Sequence, residues 1–370
     1  MLAIDLLDGR SLNRSLLERQ LLLRRHKVST FEAVEHLVGL QAQAPDPPYV
    51  GLWTRLAGFR PGELSRMILD RRAVRVALMR NTVHLVTAED CLKLRPLVQP
   101  TIGRNLYTGN VQRAAVKEID AAELVAAGRA LLEERPLTAK ELGGLLRERW
   151  PDQDPDALAR AIRNLVPLVQ VPPRGVWGES GPAAHTTIEA WLGQRLASSP
   201  SPEEMVMRYL GAFGPASVKD AQTWSGLTRL REVFERLRPR LRAFRDEGGT
   251  ELFDLPEAPR PVPDVPAPVR FVAAFDNLIL SHADRSRVIA AEHRKAIASK
   301  NGMVPATFLV DGFVRGTWKV VRDRRAATLW ISPFERLPKQ DREALTEEGE
   351  QLLDFVTDGT ADFATRFIEP

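Results

Sequence analysis

The sequence predicts a helix-dominated α+β fold, built from three successive helix-and-hairpin units and a C-terminal β-meander domain. Three observations lead there. Helical periodicity followed by a pair of short β-branched runs recurs three times along 370 residues, a length too great for one compact core. Six prolines, at 256, 259, 261, 263, 266 and 268, then interrupt the pattern as a semi-rigid linker. Beyond them the texture changes to alternating strands. The expected division is 1–118, 119–199 and 200–256 for the three units, 257–268 for the linker and 269–370 for the last domain.

In the first unit, Arg14 to Lys27 has the composition of a strong helix. Ser29 with Glu32 then forms a capping box that opens a second. Phe31, Val34 and Val38 make its apolar stripe, and the next position on that stripe is a polar residue, Gln41. Ala44 precedes Pro45, so the helix is expected to end between Ala42 and Ala44. If the chain is extended there, Gln41 and Gln43 share a side and offer two carbonyl acceptors and two NH2 donors around a small space. If it is not, the two are exposed residues at a helix C-terminus. Pro61 starts a further helix that runs to Arg71, and Val74–Met79 with Thr82–Val86 flank Arg80-Asn81 as a hairpin.

The second unit reads as helices from Asp120 to Glu134, Ala139 to Arg149 after Pro136-Leu137-Thr138, and Pro155 to Leu165. Its strands are Leu168–Val171 and a segment after Gly175-Val176-Trp177-Gly178. The third has a helix from Pro202 to Phe213, a Gly214-Pro215 turn, a short helix from Ser217 to Thr223, and another from Arg229 to Arg238 after Ser225-Gly226-Leu227. Leu241–Arg245 and Glu251–Phe253, joined through Gly248-Gly249, close it. Seven arginines fall between 229 and 245, interleaved with Glu232 and Glu235 as on a solvated face.

After the linker, Arg270–Ala274 is a strand, and Phe275-Asp276-Asn277 leads to Asp284-Arg285-Ser286-Arg287. Ala306–Val310, Phe313–Val321 and Ala327–Ser332 form the meander, with turns at Asp311-Gly312 and Asp323-Arg324-Arg325. In the middle strand Val314, Gly316, Trp318 and Val320 share one face, and Arg315, Thr317 and Lys319 share the other. A basic, hydroxyl-bearing strand face suits a phosphate backbone, and equally an ordinary wet sheet face. Lys339 to Val356 is the closing helix.

Composition narrows the functional classes. With 44% hydrophobic and 27% charged residues the chain is an ordinary soluble globular protein. It lacks a signal-peptide pattern and a long apolar run, so a cytoplasmic, non-membrane protein is expected. A lone cysteine, Cys91, excludes a disulfide framework and a thiolate-rich metal site. Six scattered histidines and the lack of a Gly-rich phosphate loop leave no metal or cofactor expected. The net charge is +4, and arginines outnumber lysines 43 to 9; arginine favours bidentate phosphate contacts, although a GC-rich genome also produces it.

Helix, helix, helix, hairpin is the order of a winged helix-turn-helix unit, and three of them in a basic chain point to DNA. Three dissimilar units without a dimerisation heptad point to a monomer, unlike a regulator that reads two half-sites. The chain resembles the AlkZ/YcaQ family of winged-helix DNA glycosylases. The matching pieces are Gly39-Leu40-Gln41-Ala42-Gln43-Ala44-Pro45, Arg80-Asn81-Thr82-Val83-His84-Leu85, Gly214-Pro215-Ala216, Trp224-Ser225-Gly226-Leu227, Phe275-Asp276 with Asp284-Arg285-Ser286-Arg287, and Gly316-Thr317-Trp318. They run in family order from about Leu12 to Phe355.

The resemblance implies catalysis by Gln41 and Gln43, in the double-glutamine branch associated with self-resistance to DNA-crosslinking natural products. It implies double-stranded DNA carrying alkylated purines as partner, in a concave channel that the units surround. The expected DNA contacts are Arg80, Thr82 and His84 at the first hairpin's turn, Arg285, and Arg315, Thr317 and Lys319 on the strand face. An N7-alkylguanine is already cationic and departs without a general acid, so amides that place water and face the sugar suffice. No lysine lies near the motif, so a monofunctional glycosylase leaving an abasic site is expected. The alternative is a non-catalytic winged-helix protein that regulates transcription or binds the lesion or the drug.

Overall fold

A computed structural model describes residues 5–105, 119–297, 302–323, 326–359 and 362–369. Strand β1 (Asp5–Leu7) leads into α1 (Gly9–Arg19), capped where Ser11 N donates to Asp8 Oδ1 at 2.7 Å. The helix expected from Arg14 to Lys27 therefore starts and ends earlier. Tertiary contacts override propensity at its C-terminal end. Arg19 forks onto Asp254, the Gln20 amide donates to the Ala212 carbonyl, and Leu21 turns to φ 58°. Next come α2 (Thr30–His36), β2 (Leu40–Gln41), α3 (Pro47–Trp53), α4 (Pro61–Leu69), the hairpin β3 (Ala73–Ala77) and β4 (Val83–Thr87), and α5 (Ala88–Asn105).

The second unit supplies α6 (Ala121–Glu134), β5 (Leu137–Thr138), α7 (Ala139–Arg149), α8 (Pro155–Leu165), β6 (Leu168–Gln170), β7 (Ala184–Thr187) and α9 (Ile188–Leu192). The third supplies α10 (Pro202–Phe213), α11 (Val218–Ser225), α12 (Arg231–Leu237) and the hairpin β8 (Arg242–Asp246) and β9 (Glu251–Asp254). After the linker come β10 (Arg270–Val272), α13 (Asn277–Leu280), α14 (Arg294–Ile297), β11 (Thr307–Val310), β12 (Phe313–Arg322), β13 (Ala326–Pro333), α15 (Lys339–Thr357) and β14 (Asp362–Phe367).

Three sheets organise these elements, and two of them cross the expected boundaries. The first and second units contribute to one six-stranded sheet ordered β2-β4-β3-β6-β7-β5, joined where Arg75 pairs with Gln170 and Val76 with Val169. In the third unit the N-terminal β1 adds to the hairpin in parallel, Asp5 opposite Phe244. The C-terminal sheet, β10-β11-β12-β13-β14, contains the expected meander plus a parallel edge strand that the sequence reading did not include. The boundary at 118 lies outside the described residues, as do Arg324 and Arg325 of the expected turn.

The cores follow the same logic. Leu124, Leu132, Leu142, Leu146, Leu158 and Ile162 give the second unit a core of its own. Residues from the first and third units and the last domain instead merge into one cluster, with Leu16, Val76, Phe213, Trp224, Leu278 and Leu309 among its members. The proline linker is strapped to α1: Nε of Arg10, Arg14 and Arg19 donate to the carbonyls of Pro263, Val265 and Pro259 at 2.9, 2.7 and 3.3 Å. Of the arginine run, Arg236 pairs with Glu203, Arg238 with Glu235 and Glu251, and Arg242 with Asp5, all at the surface. Among the described residues no helix is long and apolar enough to cross a membrane.

Candidate active site

The Ser29–Glu32 capping box forms as expected, but α2 stops at His36, five residues before Gln41. Val38 at φ 53° and Gly39 at φ 87° turn the chain out of the helix. At position 39 only glycine fits, because a Cβ there would meet Val86 Cγ1 at 2.4 Å and the Leu85 carbonyl at 2.7 Å. The chain then pairs with the hairpin as β2, Leu40 opposite Leu85 and Gln41 opposite His84, and Ala42 N donates to the Val83 carbonyl at 2.7 Å. The segment holding the glutamines is thus extended and tied to the hairpin's exit strand.

Each amide is held by a group that can only donate, which fixes which end is the oxygen. Arg80 Nη2 donates to Gln41 Oε1 at 2.8 Å, and Val83 N donates to Gln43 Oε1 at 3.2 Å. The two side chains open onto different spaces rather than one. Gln41, 6% exposed, lines an inner crevice of about 10 Å³ with Gln20, Arg55, Asp276 and Asn277, close to the minimum for a single water. Gln43 is exposed and lines a cavity of about 310 Å³.

A buried polar chain supports Gln41 from behind. The Arg55 guanidinium forks onto Asp276 with both bonds at 2.9 Å, and neither side chain is more than 3% exposed. Asp276 Oδ1 also caps α13 through Leu278 N, which sets Asn277 beside the hairpin loop. There Arg80 divides its fork among Gln41, Asn277 Oδ1 at 3.1 Å and the Trp224 carbonyl at 2.6 Å. Gly226 makes room for this, since a Cβ there would stand 3.2 Å from the Arg80 backbone. Four sequence pieces from separate parts of the chain therefore meet at Gln41: Gly39-Leu40-Gln41, Arg80-Asn81, Trp224-Ser225-Gly226 and Asp276-Asn277.

The expected DNA contacts separate into two groups. Arg80 is not a free cation: its backbone at φ 57° turns the side chain inward onto three acceptors. Burial, then the nearby Arg285, lowers its pKa to about 10, so it stays charged at neutral pH. His84 offers no surface at all. Its Nδ1 donates to the Thr82 carbonyl at 3.0 Å, and burial pushes its pKa down to about 3, so it is a neutral packing residue. Thr82 is half-buried, with its hydroxyl on the Met79 carbonyl at 3.1 Å. Arg285 is half-buried near Arg80.

Arg315 and Lys319 are exposed on one face of β12, with Thr317 half-buried between them. None of the three touches either glutamine. Arg55, Arg75, Asn277 and Arg95 have no functional role in the reading from sequence. Arg75 had a signal, as an arginine between the buried Val74 and Val76 of a strand; its Nη2 donates to the Ala42 carbonyl between the two glutamines at 2.8 Å.

Comparison with known proteins places this geometry. A family model described as DNA glycosylase AlkZ-like matches residues 34–355. An interstrand DNA cross-link repair glycosylase of Streptomyces sahachiroi is 26% identical over 346 residues, covering 87% of this chain and 90% of that protein. The solved structure of Streptomyces sahachiroi DNA glycosylase AlkZ superposes with a TM-score of 0.77 at 22% identity, over 98% of this chain and all of the other. The fold is that of AlkZ, and the family match spans both glutamines and the residues that hold them. This chain belongs to the AlkZ-like family of DNA glycosylases, enzymes that act on N-glycosyl bonds.

Proposed function

We propose that the protein is a monofunctional glycosylase for cationic N7-alkylguanine adducts, bulky adducts and interstrand crosslinks included, and that it acts as a monomer in self-resistance to a genotoxic natural product. The anchoring of Gln41 and Gln43 to one hairpin carries this reading. The relative of similar length is itself named for interstrand crosslink repair.

Each anchored carbonyl keeps a second lone pair. Gln43, the exposed member, takes the water or the sugar edge, while Gln41 is the inner, immobilised one. An amide cannot act as a general base at neutral pH, so positioning and dipoles do the work. The electrostatics select the substrate. When a cationic guanine leaves, a positive charge moves from the base to the deoxyribose. When a neutral base leaves, a cation and an anion must be separated, at a larger electrostatic cost. Arg80 and Arg285 would repel a developing sugar cation, and in the complex the phosphates of the bound DNA offset that repulsion.

The test is incubation with duplex containing N7-methylguanine, followed by assay for free base and alkali-labile abasic sites. Release of both supports the proposal. Tight binding of the duplex without base release would assign the protein to a non-catalytic role.

A further inference from the structure

The cavity beside Gln43 is chemically one-sided. Among the described residues four guanidinium groups line its wall, those of Arg75, Arg95, Arg160 and Arg163, and no carboxylate does. Arg160 and Arg163 are exposed at its mouth, whereas Arg75 and Arg95 are 2% and 0% exposed. Arg75 is anchored to Gln170 Oε1 at 3.2 Å and to the Ala42 carbonyl.

Arg95 is the anomaly. It sits in α5 on the stripe of Cys91, Val98 and Ile102, and Nε, Nη1 and Nη2 are all buried without a hydrogen-bond partner among the described residues. Burial brings its pKa to about 10, so it is charged at neutral pH; Glu189, the carboxylate that acts on it, lies beyond hydrogen-bond reach and is 3.6 Å from Arg129. A fully buried, unpaired guanidinium destabilises the fold, and an arriving anion would offset that cost.

We propose that this arginine pocket is a phosphate subsite that grips the DNA backbone beside the nucleotide under attack, with Arg160 and Arg163 receiving the phosphate and Arg95 setting the charge of the floor. Planar guanidiniums match phosphate oxygens in pairs. Apart from His185, held neutral by burial, the described residues of the lining include no aromatic ring on which an extruded base would stack. The shared wall with Gln43 places the gripped strand against the catalytic motif. The inference rests on the glycosylase reading and extends it.

The test is a scan of N7-methylguanine duplexes, each with one neutral methylphosphonate linkage near the lesion, read by both affinity and base release. The wild-type protein should lose about tenfold in affinity at one or two adjacent positions. With Arg160→Ala/Arg163→Ala, whose side chains are exposed and so do not threaten folding, that position-specific loss should vanish. An equal loss in protein and variant, or no sensitive position, would overturn the pocket assignment. Because affinity is read without cleavage, a protein that binds but releases no base would refute the glycosylase reading alone.

Arg95→Met supplies a second readout. A functional guanidinium predicts a melting temperature raised by about 2 °C or more together with weaker DNA binding. A lower melting temperature with unchanged affinity would make Arg95 structural and count against the site. Saturable binding of inorganic phosphate that is lost in the variants while DNA affinity stays intact would reassign the pocket to a free anion.

Discussion

At the scale of single residues, the candidate site holds its side chains fixed. Gln41 is pinned by a donor that is itself pinned, since Arg80 also holds Asn277 and Trp224. Gln41→Ala and Gln43→Ala should each lower single-turnover excision about 10- to 1,000-fold with DNA affinity nearly intact. If the two amides serve one water, the double variant costs less than the product of the singles; full activity in the double variant would remove the catalytic assignment. Arg80→Ala should behave like a glutamine variant, lowering the rate with little change in salt dependence. Arg80→Lys should not restore it, because an ammonium cannot divide a planar fork among three acceptors. Gln41 was legible in the sequence because a polar residue broke an apolar stripe. Arg95 breaks the stripe of α5 in the same way. Among 43 arginines, however, one more says little about position.

At the scale of elements, local signals were read well where they were strong. The helices Pro155–Leu165 and Pro202–Phe213 lie where the sequence placed them, each with a proline at the start and a side-chain cap, Asp154 or Ser201. The end of α2 was missed because Gly39 punctuates it through a contact with Val86, a residue nearly fifty positions away. The face alternation of β12 holds, with Val314 buried and Arg315 and Lys319 exposed. We propose that this face meets the phosphate backbone. Arg315→Ala and Lys319→Ala should then weaken binding to damaged and undamaged duplex alike and flatten the slope of log K against log salt by roughly one unit each. A binding isotherm series from low to high salt decides it: unaltered slopes in both variants would leave the face simply solvated.

At the scale of the whole molecule, the decisive feature is fusion. The repeated helix-and-hairpin plan was visible in the sequence. That Arg75 of one unit pairs with Gln170 of the next was not, because strand pairing across units leaves no local pattern. The fused interior also buries three neutral histidines. Burial and Arg80 push His84 down to about 3, burial and Arg163 push His185 down to about 4, and burial with Arg287 depresses His282. Below the ordinary value of 6.5 the unfolded chain takes up these protons and the native chain does not, so stability is lost as pH falls from about 6.5 toward 4. Thermal melts at about pH 7.5 and about pH 5.5 should show the loss well above the carboxylate range, and equal melting temperatures would contradict it.

Fusion bears on chemistry too. Gln41 is closed in by the first unit, the third unit and the last domain, so we propose Gln43 and the open cavity as the approach for a lesion. With the pocket arginines occupied by the DNA backbone and only amides left to face the base, excision should be confined to purines that are already cationic, chiefly N7-substituted guanine and N3-substituted adenine. An approach from an open cavity should tolerate bulk, so N7 monoadducts of different sizes and N7–N7 interstrand crosslinks should be processed at similar rates, within about tenfold. Uracil and 8-oxoguanine should survive, since their departure needs a proton or a stabilised anion. A panel of defined duplexes at matched salt, scored by base release, separates these cases. Efficient removal of uracil would demand an acid that this arrangement of glutamines and arginines does not contain, and the charge-transfer account of the mechanism would fall.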